Sequence, residues 1–291
     1  MRILVFGGWG QLGAELARAA EGRHELVRPT RVEVDVADPA AVAAAVAGSL
    51  PRVVVDAAAF HRVEDCEREP ERALAVNALG ALAVARAAAG AGARAVFVST
   101  DYVFGGRPPT GGEGHIEDEA HAPVNAYGVS KAAGELALRA ACPDSLVVRV
   151  SGLFGHAGSS GKGGNFVETM LARAASGERL AVVDDQVLAP TAAAEAADRL
   201  VALLEAGAPP GTYHLANRGA LSWHAFAATI FRLAGVPADL VPRRTGPEEV
   251  RRPANSVLED TRTAALGIPP ARTVEEALAW YLAERGAGPR P

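Results

Sequence analysis

The sequence predicts an α/β protein built on a doubly wound parallel sheet. Three observations carry this. Short apolar runs (Arg2–Phe6, Val53–Ala57, Ala95–Ser99, Leu146–Val150) alternate with helical stretches, the spacing of βαβ units. The runs are apolar throughout, as expected for strands covered on both faces. A glycine cluster stands directly between the first run and the first helix.

Taken in order, Arg2–Phe6 is the first strand, and an Ala/Leu/Glu/Arg helix follows from Leu12 to Ala20. His24–Val27 reads as a second strand and Val32–Val36 as extended chain. Asp38 is a good N-cap and Pro39 a good first residue for the next helix. Val53–Ala57 is the third strand, Glu69–Ala89 a long helix, Ala95–Ser99 the fourth strand, Asn125–Ala140 a helix and Leu146–Val150 the fifth strand. The Gly/Pro-rich stretches Gly105–Gly114 and Gly155–Gly164 read as loops, the second as a flap. Leu180–Val183 is a candidate strand and Thr191–Ala206 a helix. Tyr213–Leu215, Trp223–Ala234 and Val274–Glu284 form a mixed C-terminal part. The expected organisation is a dinucleotide-binding domain over residues 1–150, rejoined by 180–206, and a smaller substrate-binding lobe over 151–291.

Composition narrows the function classes. Of 291 residues, 49% are hydrophobic and 22% charged, enough to bury a sizeable core. The net charge of -5 argues against nucleic acid, which requires a basic surface field. The two cysteines, Cys66 and Cys142, are far apart and form no CxxC, so a reducing cytoplasm is expected. Neither a signal-peptide pattern nor a run of ~18 uninterrupted apolar residues is present, so no membrane association is expected. Only Lys131 and Lys162 are lysine among 29 basic residues. In so arginine-rich a chain, a retained lysine suits a job for a compact point charge.

Gly7-Gly8-Trp9-Gly10-Gln11-Leu12-Gly13 satisfies G-x-G-x-x-G. Glycines allow a tight turn and close approach to a pyrophosphate, and the following helix offers free N–H groups. A strand before the motif and a helix after it supply the confirming context for a Rossmann-like dinucleotide site. The acid that binds ribose hydroxyls is missing at the end of the second strand, where Val27-Arg28-Pro29-Thr30-Arg31 stands. Arginines there suit a 2′-phosphate, so NADP is favoured, with NAD the alternative. Asp35 and Val36 are placed to border the adenine.

Tyr127 and Lys131 lie four residues apart on a helix and so share a face. An isolated phenol titrates near ~10, and a neighbouring ammonium favours the phenolate. Such a pair can give a proton to a carbonyl oxygen as a hydride reaches its carbon. Thr100, in Ser99-Thr100-Asp101, ends the fourth strand and can align that oxygen. Arg251-Arg252-Pro253 could contact a diphosphate. Ser159-Ser160-Gly161-Lys162 lacks an ordered base, though Lys162 could touch a phosphate. The seven histidines show no ligand spacing, so no metal site is expected.

These residues resemble the extended short-chain dehydrogenase/reductases and, within them, the dTDP-4-dehydrorhamnose reductases. The segments carrying the resemblance are GGWGQLG (7–13), AAAFHRVEDCE (57–67), AVNALGA (75–81), STDYVFGG (99–106), PVNAYGVSKAAGE (123–135), GNFVETML (164–171), DDQVLAPT (184–191) and RPANSVL (252–258). They run in family order across almost the whole chain. The resemblance implies an NAD(P)H-dependent oxidoreductase that reduces the 4-keto group of a nucleoside-diphosphate sugar. It implies catalytic roles for Thr100, Tyr127 and Lys131, and cofactor contacts by Gly7, Gly10, Gln11, Leu12, Gly13, Arg31, Asp35, Val36, Ala57, Ala58, Ala59, Lys131 and Val150. Substrate contacts would come from Tyr102, Asn125, Ser151, Asn165 and Arg252.

Departures cluster on the substrate side: Gly152 where the family usually has Trp, Leu188 where it has Gly, Asp56 where it has Asn, and Phe60-His61 where it has Tyr-Thr. Two other readings are consistent with the residues. One is an NAD-dependent sugar-nucleotide epimerase or dehydratase of the same fold. The other is a non-catalytic NADP-binding regulatory subunit, against which the Thr/Tyr/Lys set argues. A homodimer is the candidate assembly.

Overall fold

A computed structural model describes residues 1–110, 112–157 and 164–285. Lys162 and most of the expected flap fall outside them.

The chain lays down β1 (Arg2–Phe6), α1 (Gln11–Ala20), β2 (Glu25–Val27), α2 (Pro39–Ser49), β3 (Val53–Asp56), α3 (Val63–Arg68), α4 (Pro70–Leu74), α5 (Gly80–Gly90), β4 (Arg94–Thr100), α6 (Ala126–Ala141) and β5 (Ser145–Val150). Then come β6 (Leu153–Phe154), α7 (Phe166–Ala175), β7 (Leu180–Val183), β8 (Val187–Leu188), β9 (Thr191–Ala192), α8 (Ala193–Glu205), β10 (Gly211–His214), β11 (Leu221–Ser222), α9 (Trp223–Ala234), β12 (Leu240–Arg243) and α10 (Val274–Arg285). The main sheet has six strands in the order β2-β1-β3-β4-β5-β10, and every pairing is parallel. This is the Rossmann-like α/β architecture. The order reverses between β1 and β3, where such sheets open a crevice at their carboxyl ends.

Alternation along the buried strands feeds two cores. Ile3, Val5, Val53, Val55, Val96 and Val148 pack with α1 and α8 on one face. Leu4, Phe6, Val54, Ala95, Phe97 and Val147 pack with α2, α5 and α6 on the other. A separate core joins Phe154, Met170, Leu180, Phe226, Ile230 and Tyr281 across α7, α9 and α10.

Four expectations change. Val32–Val36 is not extended: Glu33 N and Val34 N both donate to Thr30 O, folding the segment into turns beyond the short edge strand β2. The helix expected over Glu69–Ala89 runs Pro70–Gly90 with a π-helical stretch at Ala75–Leu79. There Asn77 turns inward, its side-chain amide donating to Phe60 O and Ser130 Oγ at 2.9 Å each. Tyr213 does not belong with the C-terminal lobe, because β10 adds the sixth strand beside β5. Leu180–Val183 does not rejoin the sheet but pairs with β12, while α8 packs back on α1.

By length and composition Pro70–Gly90 could cross a bilayer, but half of its apolar window is buried. It packs on the sheet and α6, as a core helix does.

Candidate active site

The loop after β1 is built for close approach. Gly7 has φ +72°, and a Cβ there would meet the Ala57 backbone at 2.6 Å. A Cβ on Gly13 would lie 2.5 Å from Gly8 Cα, so the loop and α1 close only without side chains. The loop forms one end of a cleft of about 1140 Å³ along the carboxyl edge of the sheet. The cleft is walled by Gly7, Gly10, Gln11, Leu12, Gly13, Arg31, Asp35, Val36, Ala57, Ala58, Ala59, Lys131 and Val150, all expected cofactor residues. Thr100, Tyr127, Tyr102, Asn165 and Arg252 also reach it.

Tyr127 stands in the first turn of α6 and Lys131 one turn on. The ammonium of Lys131 lies 3.7 Å from the Phe97 ring centroid, and its Nζ is buried with no hydrogen-bond partner among the described residues. Burial lowers its pKa to about 8, against the opposing charges of Asp56 and Glu135. Asp56, at the end of β3, is pushed up to about 6 by burial, with Lys131 and the Ala58 N–H opposing. The Tyr127 phenol departs from expectation: burial pushes it above its ordinary value, more than a hydrogen bond with the Thr100 hydroxyl lowers it. Nearby Asp101, Cys66 and Tyr102 push the same way. At neutral pH the phenol therefore carries its proton. The Tyr102 ring meets it edge-on at 5.8 Å.

Two expected substrate residues are engaged in holding the fold instead. Asn125 is buried as the N-cap of α6, accepting from Gly128 N at 2.8 Å and donating to Arg251 O at 3.0 Å. Ser151 is buried and donates to Asp101 Oδ2 at 2.9 Å, an oxygen that also accepts from Ser256 Oγ at 2.6 Å. Asp101 thereby ties the ends of β4 and β5 to the segment after β12. Asn165 lines the cleft but caps α7 and donates to Gly155 O at 2.7 Å and Tyr281 Oη at 3.1 Å. Arg252 lines the cleft and donates to Tyr102 Oη at 3.4 Å and to Glu64.

Of the two arginines expected near a 2′-phosphate, only Arg31 faces the cleft, in contact with Asp35 at 3.5 Å. Arg28 instead lies over the Trp9 ring at 4.4 Å and donates to Gly8 O. Sequence reasoning missed Glu64, Phe166, Arg173, Trp223 and Arg243, which also line the cleft.

The chain matches the family model described as the RmlD substrate binding domain over residues 1–286. The chain belongs to that family. It is 40% identical to a dTDP-4-dehydrorhamnose reductase of Streptomyces griseus, over 95% of this chain and 91% of that one. It is 37% identical to the spore coat polysaccharide biosynthesis protein SpsK of Bacillus subtilis, over 98% of each. Among solved structures, dTDP-4-dehydrorhamnose reductase from Clostridium acetobutylicum superposes with a TM-score of 0.91 at 32% identity, covering 98% of this chain and 100% of that one. The Bacillus anthracis reductase in complex with NADP gives 0.90 at 32% identity, covering 97% and 99%. As an RmlD-family member, the chain is an NAD(P)-dependent oxidoreductase of the extended short-chain type. The cleft fits such a coenzyme: the side-chain-free cradle at Gly7 and Gly13 and the Lys131 Nζ, without a hydrogen-bond partner among the described residues, lie along one crevice.

Proposed function

We propose that the protein reduces the 4-keto group of a nucleoside-diphosphate sugar, with dTDP as the nucleotide and NADPH as the preferred coenzyme. One observation carries the reading. The glycine cradle and the Thr100–Tyr127–Lys131 set occupy one cleft, which Arg252 also lines.

The coenzyme, when bound, supplies a hydride to the carbonyl carbon. The residues Gly7 to Gly13 would hold its diphosphate, and Arg31 would favour a 2′-phosphate. The Lys131 ammonium would take ribose hydroxyls as the hydrogen-bond partners it lacks among the described residues. Thr100 and Tyr127 would both hydrogen-bond the 4-keto oxygen. Because burial keeps the phenol protonated, Tyr127 starts as an acid and gives its proton to that oxygen. The resulting phenolate is stabilised by Lys131, whose charge is needed most at that moment. Arg252, released from Glu64, would pair with the sugar-nucleotide diphosphate.

Reduction is favoured over epimerisation because the RmlD match runs along the chain and the reductase relatives are 37–40% identical. The solved UDP-glucose 4-epimerase of Thermotoga maritima is 18% identical and shares the fold. We further propose a cytoplasmic site of action, in keeping with two buried free cysteines, and a homodimer, which light scattering would test. The deciding experiment follows NADPH absorbance with a dTDP-4-keto-6-deoxyhexose. Stoichiometric oxidation is expected. Tyr127→Phe should retain coenzyme affinity and lose ~10²–10⁴-fold in turnover. Sugar interconversion without net NADPH consumption would turn the reading to the epimerase, and unchanged turnover in Tyr127→Phe would remove the assigned acid.

A further inference from the structure

Gly152 stands two residues beyond Val150, the register partner of Thr100. It lines the same cleft as Tyr127. Its φ is +42°, and a Cβ there would lie 2.6 Å from Leu188 Cδ1 and 3.6 Å from Trp223 Cη2. No side chain fits at 152 while Leu188 keeps its place. The wall at this point is made by Leu188 and Trp223, which arrive from elsewhere in the chain.

Both are held firmly. Leu188 is buried and pairs antiparallel with Leu221, while Val187 pairs with Ser222. Ser222 Oγ caps α9 by accepting from Ala225 N at 3.0 Å. Trp223 is thus the first residue of a capped helix anchored to the strand that carries Leu188. Its ring is backed by Phe166 at 4.6 Å and Phe226 at 6.4 Å. Phe166, Leu188 and Trp223 all face the cleft, whereas Arg252 and Tyr102 supply polar lining.

A hexopyranose has hydroxyls at its rim and C–H bonds on its faces. An aromatic plane offers those faces an apolar, weakly negative surface. We infer that Trp223 is a specificity-determining residue whose indole is the stacking surface for the hexose ring, with Leu188 closing the pocket where residue 152 has no side chain. The inference rests on the sugar-nucleotide reading above, but it concerns recognition of the sugar rather than its reduction.

Calorimetry in the presence of NADP⁺ separates the two. Wild type should bind dTDP-glucose more tightly than dTDP. Trp223→Ala should lose about tenfold in dTDP-glucose affinity, with dTDP and NADP⁺ affinities changed less than twofold. Trp223→Phe should keep most of the sugar increment. With a dTDP-4-keto-6-deoxyhexose, Trp223→Ala should raise KM and leave kcat within a few-fold. Where Trp223→Ala fails to fold, indole emission serves instead. Addition of dTDP-glucose should change it in wild type, in Trp9→Phe and in Trp280→Phe, but not in Trp223→Phe. A wild type that gains nothing from the sugar, a Trp223→Ala enzyme that keeps the increment, or an emission change surviving in Trp223→Phe would each overturn the inference. Failure of the reduction reading shows separately, as absence of NADPH oxidation in a wild type that still binds dTDP-glucose through Trp223.

Discussion

Lys131 Nζ sits 3.7 Å from the centroid of the Phe97 ring and has no hydrogen-bond partner among the described residues. A buried ammonium costs stability unless it is paired, so its retention points to work done on a ligand. Lys131→Met keeps the apolar stem against Phe97 and removes the charge. The expected result is a weaker NADPH complex, by about tenfold or more, with turnover nearly abolished and thermal stability equal to or above wild type. Loss of stability in parallel with loss of activity would instead make Lys131 a structural residue.

Gly13→Ala tests the cradle without touching a polar group. The added methyl would sit 2.5 Å from Gly8 Cα and 2.6 Å from Gly7 O, both backbone atoms that cannot swing aside. The loop must open, and the free N–H groups at the start of α1 move off their target. Coenzyme titration should show at least a tenfold rise in Kd, whereas the α6 side of the cleft is untouched. An unchanged Kd would mean that the diphosphate does not sit in this loop.

Much of this arrangement could be read from residues alone, for physical reasons. Strands buried on both faces write continuous apolar runs, and a backbone that must approach phosphate writes glycines. The Tyr127–Lys131 spacing survives because a helix has one period. What escaped notice was built by short or irregular pairing. Trp223 and Leu188 meet through the two-residue strands β8 and β11, which leave no periodic signature. The family resemblance assigned Asn125 and Ser151 to the substrate. Their side chains instead cap α6 and hold Asp101. The ordinary phenol–ammonium argument also gave the wrong direction for Tyr127, because burial, invisible in sequence, outweighs neighbouring charge.

The charges of Asp56 and Lys131 influence each other and set a pH dependence. Lys131 is protonated below about 8 and loses its charge above it. The alkaline limb of kcat/KM should therefore fall through that region as the ammonium that supports coenzyme and phenolate disappears. Asp56 holds the Lys131 pKa up, so Asp56→Asn should move the alkaline limb to lower pH. An alkaline limb that stays in place, measured with saturating NADPH, would detach Asp56 from Lys131.

Glu135, one further turn along α6, should dominate acid stability. Its carboxylate is fully buried, accepts from Arg149 Nε at 2.9 Å and Nη2 at 2.8 Å, and accepts from Ser99 Oγ at 2.5 Å. Burial alone would raise its pKa, but His121 and Arg149 outweigh that and hold it far below the ordinary range. Between the folded and unfolded values the unfolded chain binds the extra proton. The stabilisation is therefore complete above the unfolded pKa of ~4.3 and is lost as pH falls through the lower folded value. Glu135→Gln leaves the Arg149 guanidinium buried without its counter-charge, which costs about 3–5 kcal/mol. Urea midpoints at pH 7 should drop accordingly, and the steep loss of stability expected of wild type below ~4.3 should flatten in the variant. A variant as stable as wild type at pH 7, with an unchanged acid limb, would show that the cluster holds neither strand β5 nor helix α6 in place.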